Sequence, residues 1–171
     1  MLNHLQTCCF AGYRPEKVEG WELSDGSAPD NIKDSLNEAI LRAYNSGYLV
    51  FVSGMSRGFD MWAAQEVIKL KNKYPLKLFC AIPFDNQCDY WNDMDKKQYK
   101  DILLNADIVY SLSDKYTPDC FHVRNRFMVN SSSRLICWFN GTAGGTEFTI
   151  KCAKRKGLEI DNIFENQLRI Y

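Results

Sequence analysis

The sequence predicts an α/β fold: a single domain over residues 1–171, with a mostly parallel sheet and helices on both faces. Three observations carry that expectation. Short apolar runs alternate with amphipathic stretches along the whole chain. Most of the runs are continuously apolar, as strands covered on both faces are. Glycine-rich turns stand where strands hand over to helices, at Gly54 to Gly58 and at Gly141 to Gly145.

Taken in order, Thr7 to Ala11 reads as a strand that ends at Gly12. A polar loop with Gly20, Gly26 and Pro29 follows. Asp30 or Asn31 can cap a helix whose apolar stripe is Ile32, Leu36, Ala39, Ile40 and Ala43. Gly47 ends it, and Leu49 to Val52 is the second strand. Phe59, Trp62, Ala63, Val67 and Leu70 share one helical face, with Pro75 just beyond. Leu76 to Ile82 is a third strand, stopped by Pro83. A helix around Lys96 to Asn105 leads into a fourth strand, Ile108 to Leu112. Arg124 to Ser133 reads as helix and Leu135 to Phe139 as the fifth strand. The last long helix is Glu147 to Lys156, ended by Gly157, and Ile160 to Phe164 adds an edge strand.

Composition narrows the function classes. The chain has 21 basic and 21 acidic residues and a formal charge of zero. That balance provides no general polyanion-binding surface and leaves room only for a local basic patch. Its seven cysteines form no Cys-x-x-Cys pair and no zinc-spaced cluster with histidine, so neither a metal site nor a cofactor is expected. Cys8, Cys9, Cys80 and Cys137 sit in apolar runs and read as reduced, buried thiols, which implies the cytoplasm. No signal peptide is expected, and no apolar run approaches the roughly 20 residues that span a bilayer.

In a parallel α/β sheet, ligands bind outside the carboxyl ends of the strands. Four segments fall at such ends. The first is Gly12-Tyr13-Arg14-Pro15, where Arg14 either crosses a phosphate or is solvated beside a turn that Pro15 fixes. The second runs from Ser53 to Asp60. Gly54 suits a tight turn and Gly58 a close helix–strand approach, while bare helical N–H groups favour an anion. Asp60 either complements the helix dipole or accepts from a ribose hydroxyl. The third, Pro83 to Gln87, precedes Trp91, which reads as core or as a stacking surface for a base.

The fourth is Gly141 to Glu147. Thr146 can cap the helix and Glu147 suits its dipole, whereas Gly141, Gly144 and Gly145 imply a close ligand or a strained turn. Arg124 and Arg126, read as lying at a helix start, add a guanidinium that can clamp a phosphate. A lone His122 nearby receives no role.

Cys9 to Lys17, Ser53 to Asp60, Ala81 to Phe84 and Arg124 to Met128 together resemble the YpsA-like family of the SLOG superfamily, over nearly the whole chain. The resemblance implies a Rossmann-like domain with a nucleotide or nucleotide-derived ligand. The DNA-processing protein DprA has a similar Ser-Gly-x-x-x-Gly-x-Asp loop and Arg-Asn-Arg helix start. That likeness implies Ser53, Gly54, Arg57, Gly58, Asp60, Arg124 and Arg126 as ligand positions. LOG-type phosphoribohydrolases use an arginine with a Pro-Gly-Gly-x-Gly-Thr-x-x-Glu loop. Here Asn140, Thr142 and Gly145 depart from it, and Phe148 stands at the glutamate position, one residue after Glu147.

The leading expectation is a domain that binds or senses a nucleotide-like phosphate ligand. The alternative is an N-glycosidase of nucleotides or NAD-like molecules, with Glu147 to stabilise the developing oxocarbenium ion or activate water and an arginine, such as Arg124, to hold the phosphate. Weak single-stranded DNA binding ranks third. Self-association suits this kind of sheet, although no interface signature is visible in the sequence.

Overall fold

A computed structural model describes residues 2–23 and 25–168. Six strands alternate with six α-helices. They are β1 (Thr7–Ala11), α1 (Asp30–Asn45), β2 (Val50–Ser53), α2 (Phe59–Leu70), β3 (Lys77–Ile82) and α3 (Asp93–Asn105). Then come β4 (Ile108–Ser111), α4 (Cys120–Asn130), β5 (Arg134–Cys137), α5 (Gly145–Lys156), β6 (Glu159–Asn162) and α6 (Ile163–Leu168). Two short 3₁₀ turns, Pro15–Lys17 and Trp21–Leu23, punctuate the long segment between β1 and α1.

The strands form one sheet in the order β4-β3-β2-β1-β5-β6, and every neighbouring pair is parallel. The chain starts in the middle of the sheet and builds outward through β2, β3 and β4. It then returns to the other side of β1 to lay down β5 and β6. The connections leaving β1 and β5 therefore diverge, which opens a crevice at their carboxyl ends.

Successive strand residues face opposite ways, and each face has its own apolar layer. Cys8, Phe10, Phe51, Leu78, Cys80 and Ile82 point towards α1, α2 and α3. Cys9, Ala11, Val52, Phe79, Leu135 and Cys137 meet Met128 and Val129 of α4 and Ile150 and Ala153 of α5. The predicted α1 stripe is buried in full. All seven cysteines are free thiols, six of them buried. Burial pushes the Cys9 thiol up to about 12, so it stays protonated and apolar. Trp91 packs edge-on against Tyr99, with ring centroids 5.3 Å apart. Among the described residues no helix is long and apolar enough to cross a membrane.

Several boundaries differ from those the sequence suggests, three of them with a visible cause. Helix α3 starts three residues earlier, because the Asn92 side chain accepts from Asp95 N at its N-terminus. Helix α4 starts at Cys120 rather than at Arg124: the Thr117-Pro118-Asp119 turn leads straight into it, with Cys120 N donating to Thr117 O at 3.1 Å. Arg124 thus lies more than a turn inside the helix. The final strand stops at Asn162, where Ile163 begins α6.

Candidate functional site

A cleft of about 400 Å³ opens at the divergence of β1 and β5. Its floor is the end of β1, Phe10 to Gly12. One wall is Tyr13, Arg14 and Lys17 from the following loop. Ser56 and Asp60 form the back. Phe121, His122, Arg124, Asn125 and Met128 of α4 face Gly144, Gly145, Thr146 and Thr149 of α5 across the opening.

The α5 N-terminus faces open space in the cleft. Gly144 has φ +149°, a backbone state that side chains resist, and a Cβ on Gly145 would meet nothing within 4 Å. The loop before it is tied to the loop after β1: Tyr13 Oη donates to Asn140 Oδ1 at 2.8 Å. The Thr142 N–H and hydroxyl also donate to Asn140 Oδ1, at 3.1 and 2.7 Å. A fixed N-terminus with open space in front of it has the geometry that can accept an anion.

Two exposed cations stand beside that seat. Arg14 lies over the Phe121 ring, 5.9 Å from its centroid, and Lys17 Nζ is 5.8 Å from the Tyr13 ring centroid. Among the described residues neither makes an ion pair. Lys17 Nζ is 3.6 Å from where a Gly144 Cβ would be. Arg124 is different: it is 4% exposed, and its fork is largely engaged. It donates to Gly54 O, to Ser56 Oγ at 3.3 Å and to Asn125 Oδ1 at 2.8 Å. Its charge reaches the cleft while most of its hydrogen bonds stay within the protein.

Asp60 is the acidic counterpart. It is 5% exposed, and its carboxylate accepts a hydrogen bond from Ser56 N at 3.4 Å. Burial pushes its carboxyl up to about 6, against the pull of Arg124. A desolvated carboxylate with spare lone pairs can take a hydroxyl or amine donor from a ligand.

The predicted site residues divide into three groups. Gly12, Arg14, Asp60, Arg124, Gly144, Gly145 and Thr146 line the cleft. Ser53, Gly54 and Gly58 lie behind it and shape its back. The Ser53 hydroxyl donates to Asp60 O at 2.8 Å and accepts from Met55 N at 3.2 Å. A Cβ on Gly54 would lie 2.8 Å from the Arg124 side chain, and one on Gly58 would lie 2.7 Å from Tyr13 O.

The third group points elsewhere. Arg57 turns away to Glu16 at 2.7 Å and Asp95 at 2.5 Å, bracing the β1 loop against α3. Arg126 lies over Phe148, whose ring stacks on His122 with centroids 4.2 Å apart. Glu147 pairs with Lys151 at 2.8 Å, and that contact holds its carboxyl below the usual range. Gly141 is exposed in the loop, outside the cleft lining.

Lys17, Phe121 and His122 also line the cleft, beyond the residues that the sequence singles out. Lys17 is legible as a second cation just after Arg14, whereas Phe121 and His122 become cleft residues only because α4 begins at Cys120. No group of histidine, cysteine, aspartate or glutamate among the described residues could hold a metal ion.

Comparison with known proteins follows the same lines. Residues 8–166 match the family described as YspA SLOG family. A UPF0398 protein of Bacillus cereus strain B4264 is 31% identical over 163 residues, covering 92% of this chain and 87% of that protein. A UPF0398 protein of Bacillus thuringiensis strain Al Hakam is 30% identical over the same length and coverage. Among solved structures, DNA processing protein A from Streptococcus pneumoniae superposes with a TM-score of 0.63 at 16% identity. The match covers 91% of this chain and about half, 49%, of that one. At that identity the likeness concerns the fold.

Proposed function

This chain belongs to the YspA SLOG family, and from that premise we propose that its cleft binds or senses a nucleotide or nucleotide-derived phosphate ligand. One observation carries the reading: the α5 N-terminus, Arg14 and Lys17 converge on an open cleft at the β1/β5 divergence. Each contributes in a different way. The helix end offers N–H groups and the positive end of a dipole. Arg14 offers a planar fork, and Lys17 a mobile point charge. A volume of about 400 Å³ lies in the range of small-molecule sites. Asp60, at the back, suits a sugar hydroxyl.

The glycosidase alternative draws less support. Its acid would be Glu147, which stands outside the cleft and is engaged by Lys151. Single-stranded DNA binding draws less still, because a chain with zero formal charge lacks an extended basic track. The buried free thiols favour a reducing compartment, the cytoplasm.

The test is calorimetry with nucleoside mono- and diphosphates, NAD, ADP-ribose and inorganic phosphate. Binding tighter than about 1 mM, roughly 4 kcal/mol, is expected for at least one nucleotide and should weaken in Arg14→Ala. No binding across the panel overturns the reading. Release of free base during the titration, abolished in Glu147→Gln, would move the assignment to the glycosidase.

A further inference from the structure

We infer that two copies of this chain join edge to edge through β4, related by a two-fold axis, so that their sheets become continuous. This inference is independent of the cleft, which lies on the far side of β2 and β3 from β4.

The two edges of the sheet are unlike. At one edge, β6 carries Glu159 and Asp161, which pair with Arg134 at 3.3 and 3.4 Å. Arg42 adds a second contact to Asp161 at 3.0 Å. Charges on an edge strand discourage pairing with another chain. At the other edge, β4 hydrogen-bonds only to β3 among the described strands. Residues 108–113, Ile-Val-Tyr-Ser-Leu-Ser, contain no charge and no proline. Ile108, Val109 and Tyr110 are 46, 44 and 49% exposed. An uncharged, β-branched and aromatic edge left open is a template for strand pairing.

The helices flanking this edge extend the apolar surface. Leu104, near the end of α3, is 83% exposed and Val123 of α4 is 38% exposed. The Tyr110 ring lies 5.5 Å from Phe127 and 6.4 Å from Phe79, so the surface continues the core layer beneath it. Together these five residues, main chain included, leave on the order of 500 Å² open, below the roughly 800 Å² that a standard interface takes from each partner, so the area suits only a modest, reversible dimer.

A second copy is the occupant that this surface fits. Antiparallel pairing of β4 with β4 about a two-fold axis is self-complementary and closes after two chains. Head-to-tail growth would need β6 as the partner edge, which its carboxylates oppose. The zero formal charge of the chain sets up no net repulsion between copies. Nothing along residues 108–113 provides the charge pattern that a dissimilar partner would read.

Sedimentation velocity of the full chain between about 1 and 100 μM tests the inference. The expected result is a reversible shift from 19.8 kDa to twice that mass. Val109→Lys should raise the midpoint concentration at least tenfold. Leu104→Lys, on the outer face of α3, should do the same without touching the strand. Melting followed by circular dichroism establishes that each variant is folded, and Leu104→Lys decides the matter if Val109→Lys does not fold. A single 19.8 kDa species at 100 μM overturns the inference. So does a dimer that survives both substitutions, or a monomer that only a different protein engages at β4.

Discussion

The guanidinium of Arg124, inside α4, donates to the backbone carbonyl of Gly54 in the turn after β2. The same side chain fills the space that a Cβ on Gly54 would need. A residue that reads as a ligand clamp is thus also a tie between two sides of the sheet. Arg124→Ala leaves a buried carbonyl without its donor and Asp60 without its nearest compensating charge. Urea denaturation should show a loss of about 3 kcal/mol. A loss under about 0.5 kcal/mol would mean that the tie contributes little.

Arg14 and Lys17 carry no such duty. Both are exposed and outside the described ion pairs, so Arg14→Ala and Lys17→Ala should leave the urea midpoint within the noise of a surface substitution. Each should weaken nucleotide binding roughly tenfold, as loss of a charged hydrogen bond does. Calorimetry and denaturation on the same samples separate the two effects. A large fall in stability would reassign these cations to the scaffold.

Asp60 makes stability depend on pH in an unusual direction. Its folded-state value is about 6, against an ordinary 3.8, so the native state holds this proton more tightly than the unfolded chain does. The cost of burying the charge is full above about pH 6, declines between there and 3.8, and is absent below. Asp60→Asn should therefore stabilise the protein at pH 7.5, by up to roughly 3 kcal/mol, and give no gain at pH 3.5. Equal destabilisation at both values would point to packing in place of desolvation. The same variant should bind nucleotides less well, because an amide is a poorer acceptor for a sugar hydroxyl than a carboxylate.

Gly58 precedes α2 with φ +86°, and a Cβ there would lie 2.7 Å from Tyr13 O. Gly58→Ala combines an unfavourable backbone state with a clash against the loop that follows β1. Thermal melting should show destabilisation of about 2–3 kcal/mol. Gly141, in the turn before α5, also has a positive φ but nothing near its Cβ position, so Gly141→Ala should cost about 1 kcal/mol. Equal losses at the two sites would mean that the clash at Gly58 relaxes.

Glu147→Gln removes the half-buried partner of Lys151. It should leave nucleotide affinity unchanged within about twofold and stability unchanged within about 0.5 kcal/mol. A tenfold loss of affinity would require Glu147 to turn into the cleft.

Much of this architecture follows from local chemistry. The α1 stripe of Ile32, Leu36, Ala39, Ile40 and Ala43 reads directly as a buried helical face, because its spacing matches the helical repeat. The apolar runs read as strands covered on both sides, and Gly157 in the left-handed region closes α5 where expected. Gly12, Arg14, Asp60, Arg124 and the Gly144 to Thr146 turn could be marked for the cleft because parallel sheets collect ligands at one rim.

What local chemistry leaves undetermined is direction. Arg57 and Asp60 lie three residues apart, yet one braces Glu16 and Asp95 while the other faces the cleft. Arg124 and Arg126 diverge in the same way, the first inward to Gly54 and the second over Phe148. Such choices depend on which carbonyl, carboxylate or ring happens to lie within a few ångströms, and those neighbours come from strands and helices far away in the chain. Residue types and turns are local properties of a polymer. The pairing of a side chain with its acceptor, and the contrast between an open β4 edge and a charged β6 edge, arise only when distant segments pack.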